Sequence, residues 1–391
     1  MTDWEATYAE EIKDHIERNG MSGIDDFFKK QLERWKKKKV NIGITGNSGT
    51  GKSSFINAIR GLGDDDDGAA PVGVSECTTE PTSYDHPTCP NIKFWDLPGI
   101  GTPNYRDLET YLEKVMLEKY QTCLIFACNR FTENDIILAR EIRKQRKYFF
   151  FVHTKIDENV RAERRKKSFS EAAMLQKIRR NCIDNLVDEA GKPISSEDDI
   201  FLISNHHPDK WDFSRLTEAI LDALPTYKRE ALTLSHSYLT SLSKDILKRK
   251  ADVLKGRIIL VAGLSAVTRM TFDSGPSIEF DAAHVSGEIN EYKTQLCIPV
   301  EGSESYGRLS SVAQRKILDL NIKLANSLQL ASEATVEGFA GIACYIPILG
   351  SLIATSSSFV RAHALLRDSL KEIEEVALAV LEENCLNLLR S

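Results

Sequence analysis

No two of the eight cysteines stand as a CxxC pair; Cys77, Cys89, Cys123, Cys128, Cys182, Cys297, Cys344 and Cys385 are scattered singly. That spacing offers no metal site, and dispersed cysteines in a long chain predict reduced thiols and a cytoplasmic protein. An excess of basic charge is missing too: 51 Lys and Arg face 57 Asp and Glu, a formal net charge of −6. A whole-protein nucleic-acid footprint is thereby excluded, and no nucleic acid is expected among the partners. The opening MTDWEATYAEEIKDHIE has no basic stretch ahead of an apolar run, so the expectation is a protein that is not secreted. Thr2 stands where N-myristoylation needs glycine, and NLLRS is no prenylation box, so neither lipid anchor is expected. What remains is 42% hydrophobic and 28% charged over 391 residues. That is ample for buried cores and predicts two or three folding units.

From Trp4 to Lys39 the pattern is helical and charged, with DDFFKKQLERW as its clearest amphipathic stretch. The texture then changes. VNIGITG, NIKFWDL, TCLIFAC, KYFFFVHT and DIFLIS are short apolar runs bounded by turn residues or charge, and helical stretches such as SSFINAIRG and NDIILAREIRKQRK lie between them. Strands alternating with helices predict parallel strands joined by crossovers, hence a doubly wound α/β sheet. After LPTYKRE the chain reads as mostly helical. The expected organisation is an N-terminal helical segment over 1–39, an α/β domain over 40–228 and a helical domain over 229–391. A piece of 39 residues cannot build a core alone, so the first segment is expected to join the last.

The strongest chemical signal is Gly46-Asn47-Ser48-Gly49-Thr50-Gly51-Lys52-Ser53, a match to GxxxxGK[ST] between the strand VNIGIT and a helix that continues through Ser54. Glycines let successive N–H groups curl toward a phosphate, and the helix N-terminus adds favourable potential. In this arrangement Lys52 reaches the β- and γ-phosphates and the Ser53 hydroxyl coordinates Mg²⁺.

Three further tags follow in order, each behind an apolar strand. Asp96-Leu97-Pro98-Gly99 is a DxxG: the carboxylate holds Mg²⁺ through water, and the Gly99 N–H senses the γ-phosphate. Thr154-Lys155-Ile156-Asp157 is a [NT]KxD: Asp157 accepts hydrogen bonds from guanine N1–H and N2–H₂, which adenine does not donate, while the Lys155 stem lies along the base and ties back to the phosphate loop. Ser204-Asn205 supplies backbone N–H to guanine O6. All four at the carboxyl ends of strands, where α/β sheets bind ligands, point to GTP and GDP as ligands with Mg²⁺ as cofactor. Between the first two tags, Thr78 and Thr79 both qualify as the second hydroxyl on the metal. The run Asp64 to Asp67 reads as a solvated, mobile loop. Ile100 stands after the DxxG, where Ras-type GTPases orient the attacking water with Gln. Cleavage should be slow in the monomer or assisted, and Glu76 is a candidate carboxylate.

GNSGTGKSSFINAIRGLG, AAPVGVSECTTEPTSYDHP, NIKFWDLPGIGTPNY, CNRFTEND, FFFVHTKID and LPTYKR together resemble the immunity-related GTPases, the interferon-inducible group, continuously over about residues 40–230. The resemblance implies a doubly wound P-loop GTPase domain with a mostly helical second domain built from N- and C-terminal segments. It implies a slow, dynamin-like GTPase that self-assembles in the GTP state through its G domains, with membrane lipid and related GTPases as further partners. It also implies peripheral association with endomembranes or pathogen-containing vacuoles, in cell-autonomous defence. By motif alignment Glu76 matches the family's switch glutamate and Thr78 its magnesium-site threonine, and Lys52 places the chain with members carrying Lys in the phosphate loop. Two alternatives stay open: a GTP-dependent regulatory switch that does not assemble, and a tissue-specific member without an immune role.

Residues 338–360, GFAGIACYIPILGSLIATSSSFV, carry 23 positions without a charge, long enough to span a bilayer. Pro347 and Gly350 interrupt the run, so a buried helical hairpin, a membrane-inserting hairpin and a span all remain open. Residues 161–180 hold eight Lys or Arg against two Glu, a patch that suits anionic lipid, a soluble helix face or a contact between G domains.

Overall fold

The computed structural model describes residues 3–73, 78–87, 89–99, 108–128, 132–145, 147–187, 191, 193–224, 226–235, 240, 243–271, 282–333 and 356–388. The chain divides into two compact units, one of Lys36–Leu239 and one joining Met1–Trp35 to Thr240–Ser391.

The first unit is an α/β layer structure. Its strands are β1 (Val40–Gly46), β2 (Thr82–His86), β3 (Cys89–Asp96), β4 (Thr122–Ala127), β5 (Tyr148–His153) and β6 (Ile200–Leu202), in the order β2-β3-β1-β4-β5-β6. Neighbouring pairs from β3 to β6 are parallel, with Ile42 opposite Phe94 in β3 and opposite Thr122 in β4. Every residue of β4 is buried, as expected of a strand covered on both faces. The doubly wound expectation needs one amendment: β2 pairs antiparallel with β3, Tyr84 opposite Phe94, so the sheet is mixed. TSYDH has no apolar run to announce a strand, because an edge strand flanked by Pro81 and Pro87 buries only His86.

Helices α3 (Lys52–Arg60), α4 (Leu108–Val115), α5 (Glu133–Lys144), α6 (Ile156–Glu163), α7 (Glu171–Asn185), α8 (Phe213–Asp222) and α9 (Thr226–Ser235) cover this sheet. By its contacts α9 belongs to the sheet unit, which thus runs beyond residue 228. α3 is fixed by Phe55, fully buried with ring centroids 5.1 Å from Phe126 and 5.5 Å from Phe213. Burying such a side chain is worth about 2–3 kcal/mol. From β1 the chain continues to β3 on one side and β4 on the other, so the strand order reverses at β1. The crevice outside the carboxyl ends of those strands is where open α/β sheets bind ligands.

The second unit contains α1 (Asp3–Asn19), α2 (Ile24–Lys37), α10 (Lys244–Thr271), α11 (Ala282–Gln295), α12 (Glu304–Gly307), α13 (Ser311–Glu333) and α14 (Ser357–Leu388). α10 is its centre and packs on α14, α1 and α11. Every residue from Ile258 to Val267 is buried, so this apolar run is helical core. Gly263 admits the ring of Phe28, whose Cζ lies 2.7 Å from where a Cβ would stand. Among the described residues no helix is long and apolar enough to cross a membrane. Most of the uncharged segment over 338–360 lies outside the described residues.

Candidate functional site

β1 ends at Gly46, and the chain must turn there at φ +134°; a Cβ would sit 2.1 Å from the Phe126 carbonyl oxygen. Only glycine fits. The loop closes as Thr50 Oγ1 donates to Asn47 O at 2.8 Å, and α3 begins directly after it with its free N–H groups toward the arc. Lys52 is buried, its Nζ donating to Gly46 O at 3.2 Å and Asn47 O at 3.1 Å, which holds the ammonium over the loop.

Two other loops are tied to this one by side chains. Thr154, fully buried, donates from Oγ1 to Thr50 O at 2.7 Å, and Asn205 Nδ2 donates to Gly51 O at 2.8 Å. Ser204 is fully buried below them. The result is a cavity of about 410 Å³ whose lining includes Ser48, Gly49, Gly51, Lys52, Ser53 and Ser54 from the phosphate loop. Thr78, Gly99, Lys155, Asp157 and Asn205 complete it from the other tags. Gly46, Asn47, Thr50, Thr154 and Ser204 shape the walls from behind rather than lining them. The expected tie from Lys155 to the phosphate loop is not there among the described residues. Its backbone is left-handed at φ 60° and its Nζ leans on Glu158 at 4.0 Å; Thr154 and Asn205 make the tie instead.

At the end of β3, Ser53 Oγ and Thr78 Oγ1 both donate to Asp96 Oδ2, at 2.7 and 2.8 Å. Asp96 is 1% exposed, and its Oδ1 has no hydrogen-bond partner among the described residues. Two hydroxyl oxygens with free lone pairs beside an orphaned carboxylate oxygen form a hard oxygen donor set, which suits Mg²⁺. Thr79 does not line the cavity. Glu76 and Ile100 lie outside the described residues. The Asp64–Asp67 side chains are exposed, with Asp64 accepting from Asn57 at 3.0 Å and Asp66 from Gly63 N at 2.7 Å.

The structure adds residues that the motifs did not announce. Asn47 Nδ2 donates to Thr132 Oγ1 at 2.9 Å and to Asp135 Oδ1 at 3.3 Å. Thr132 and Asp135 form the capping box of α5, and Asp135 is fully buried. Burial pushes the Asp135 carboxyl up, while the Thr132 hydrogen bonds and the Lys52 charge pull it down. The TxxD spacing was a legible helix start; its reach to the phosphate loop was not. His206 also lines the cavity.

Asp157 opens α6 and faces this cavity half-buried. Replacing it by Asn turns one of the two acceptors for guanine N1–H and N2–H₂ into an N–H donor that suits xanthine O2, and about 10²-fold or more of the preference for guanosine over xanthosine nucleotides should go with it. Competitive binding of GDP and XDP reads the ratio; an intact preference would mean that another residue reads the base.

Comparison with known proteins follows the same lines. The family model Interferon-inducible GTPase (IIGP) matches residues 6–338. Rat Interferon-inducible GTPase 5 is 34% identical over 365 residues, covering 88% of this chain and 76% of its own length. Mouse Interferon-inducible GTPase 1 is 40% identical over 223 residues, 56% of this chain and 52% of its own. Mouse T-cell-specific guanine nucleotide triphosphate-binding protein 2 is 35% identical over 285 residues, 72% of this chain and 66% of its own. The chain thus spans about three quarters of the first relative and about half of the second.

Proposed function

The chain belongs to the interferon-inducible GTPase family, and from that premise we propose how its cavity works and where the protein acts. As a family member it is a GTP-binding GTPase. The reading proposed is a Mg²⁺-dependent enzyme that turns over slowly as a monomer and self-assembles through its G domains when GTP-bound. It acts at intracellular membranes in interferon-induced, cell-autonomous immunity. The observation that supports it most is the convergence of Ser53 and Thr78 on Asp96 beside the Lys52 ammonium.

Ser53 and Thr78 would hold the metal directly and Asp96 through water; a magnesium ion so bound neutralises β- and γ-phosphate charge. The chain's own groups do the rest. The N–H groups of Gly49 to Ser53 bind the phosphates, Lys52 sets its charge against the terminal oxygens, and Gly99 N–H reports the γ-phosphate. Asp157 and the Ser204–Asn205 backbone read guanine. Glu76 is the carboxylate we assign to orienting water, since Ile100 supplies no hydrogen bond. A second copy across the nucleotide would complete what the monomer lacks, and related GTPases present the same face. Membrane lipid is the remaining partner, with a cytoplasmic protein attaching peripherally.

The test is GTP hydrolysis per molecule over about a hundredfold range of protein concentration, with light scattering alongside. The specific rate should rise by about tenfold or more together with GTP-dependent scattering, as when a group is supplied in trans. A flat, slow rate from a monomer would replace this reading by that of a non-assembling regulatory switch. Mg²⁺ removal by chelation should lower GTP affinity in the same preparation; unchanged affinity would take Ser53 and Thr78 out of a metal role.

A further inference from the structure

A second cavity, about 700 Å³, is formed by β5, α6 and α7 and shares no lining residue with the nucleotide cavity. Its size is within the range of small-molecule sites. His153, which ends β5, and Asn159 of α6 are among its lining residues, beside the buried Cys182. His153 is 6% exposed, and its Nε2 and Asn159 Oδ1 are buried with no hydrogen-bond partner among the described residues. Burial pushes His153 down to about 4, with the nearby Asn159 amide pulling weakly the other way. The ring is therefore neutral at pH 7, and imidazole and amide each offer both a donor and an acceptor. Unpartnered buried polar atoms cost about 1–3 kcal/mol each, so the site gains from a ligand that satisfies them.

The remaining lining divides into half-buried or buried apolar residues and mostly exposed charged ones. Phe169, Met174, Ile178 and Cys182 make an apolar wall. The charged residues are Lys166, Lys177 and Arg180, with Glu163 and Asp184 as the carboxylates. Lys166 is held by Glu163 at 2.5 Å, whereas Lys177 and Arg180 are exposed and enter no ion pair among the described residues. Arg161, Arg164, Arg165 and Lys167 are likewise exposed and unpaired. Two cationic side chains of the lining, Lys177 and Arg180, thus stand outside any ion pair among the described residues in a protein of net charge −6.

A ligand that matches this lining has a neutral hydrogen-bonding edge, a flat apolar body and an anionic end. An acyl chain inserted tail first would bring hydrocarbon onto His153 Nε2 and Asn159 Oδ1 and leave them unsatisfied. Free phosphate would meet the rim and leave the wall and the polar end empty. We propose that this cavity is a second ligand site, distinct from the GTPase site, for a mononucleotide: base edge on His153 and Asn159, ring faces against Phe169 and Met174, phosphate at Lys177 and Arg180. α6 carries Asn159 two residues after Asp157, so such a ligand would touch the helix that presents the guanine reader.

The experiment is equilibrium dialysis of the full-length protein, its nucleotide cavity saturated with GDP, against radiolabelled AMP, GMP and UMP. Adenosine, inorganic phosphate and phosphatidylcholine vesicles with or without phosphatidylserine are the controls. At least one monophosphate should bind saturably at one per chain, with adenosine and phosphate at least about tenfold weaker. Lys177→Glu with Arg180→Glu should weaken that binding by about tenfold or more, as should Ala173→Trp, which fills the mouth, with GDP affinity unchanged in both. The charge variant alters only exposed side chains and keeps the test decisive if the tryptophan variant does not fold. No saturable binding of any monophosphate, or binding indifferent to both variants, overturns the proposal. So does capture of phosphatidylserine vesicles through Lys177 and Arg180 without nucleotide binding, which would make the rim a membrane-facing surface.

Discussion

Replacing Lys52 by alanine should lower GTP affinity by about a hundredfold or more while leaving the melting temperature nearly unchanged. The ammonium is buried and held by two carbonyl oxygens, 3.2 and 3.1 Å away, at the rim of the cavity. Nothing else on the phosphate loop carries a positive charge. Truncating one partner of a buried charge pair costs about 2–5 kcal/mol, and each 1.4 kcal/mol is tenfold in affinity. Stability should change little for the opposite reason. The side chain gives up its hydrogen bonds, those to Gly46 O and Asn47 O among them, but the desolvation cost of its charge disappears with them. Lys52→Met, which keeps the stem and drops the charge, should behave like Lys52→Ala. Calorimetric titration with GTP and Mg²⁺, beside a thermal melt, separates the two effects. GTP affinity unaltered in a folded Lys52→Ala protein would remove the phosphate-loop assignment.

The parts of this site that were legible in the sequence are those whose chemistry is local. Gly46, Gly51, Lys52 and Ser53 sit at a fixed spacing because one turn of backbone must wrap a phosphate, and Asp96 and Asp157 each stand just past a buried strand. The parts that were not legible depend on what the fold brings together. Thr154 and Asn205 hold the backbone of Thr50 and Gly51 across long separations. No spacing rule announces that, and the [NT]KxD pattern by itself points to Lys155 for the tie. Spacing alone does not separate Thr78 from Thr79; the family resemblance favours Thr78, and the geometry sets its Oγ1 2.8 Å from Asp96. In the sheet, the buried strands betrayed themselves by apolar runs such as YFFFV. β2 did not, because an edge strand with one buried residue has almost no hydrophobic pattern to show. Arg257 and Glu288 belong to the same category: each looks like a surface charge on a helix until the two helices are put together.

That pair supports the second large expected effect. Arg257 on α10 and Glu288 on α11 are 4% and 8% exposed and meet side by side, Nε to Oε1 at 2.9 Å and Nη2 to Oε2 at 3.2 Å. Arg257 Nη1 also donates to Leu32 O at 3.1 Å, so one guanidinium joins α10, α11 and α2. Beneath them Tyr292 is wholly buried, and burial raises its phenol well above the usual value, with the Glu288 charge adding to the rise. Glu288→Ala takes the carboxylate away from a buried cation and should destabilise the helical unit by about 3–5 kcal/mol. Hydrogen exchange of α10 and α11 amides is the measurement. Protection that depends on opening of this unit should fall by about two to three and a half orders of magnitude. The double variant Arg257→Met with Glu288→Leu removes both charges and keeps the volume, and it should recover most of that loss, because a well-packed apolar pair is as good as a buried ion pair. If the double variant were as unprotected as Glu288→Ala, packing rather than the stranded charge would account for the loss. If Glu288→Ala left protection intact, the guanidinium would be sufficiently held by Leu32 O and its other contacts without the carboxylate. GTP affinity measured in the same samples gives the second readout, since neither residue lines the nucleotide cavity.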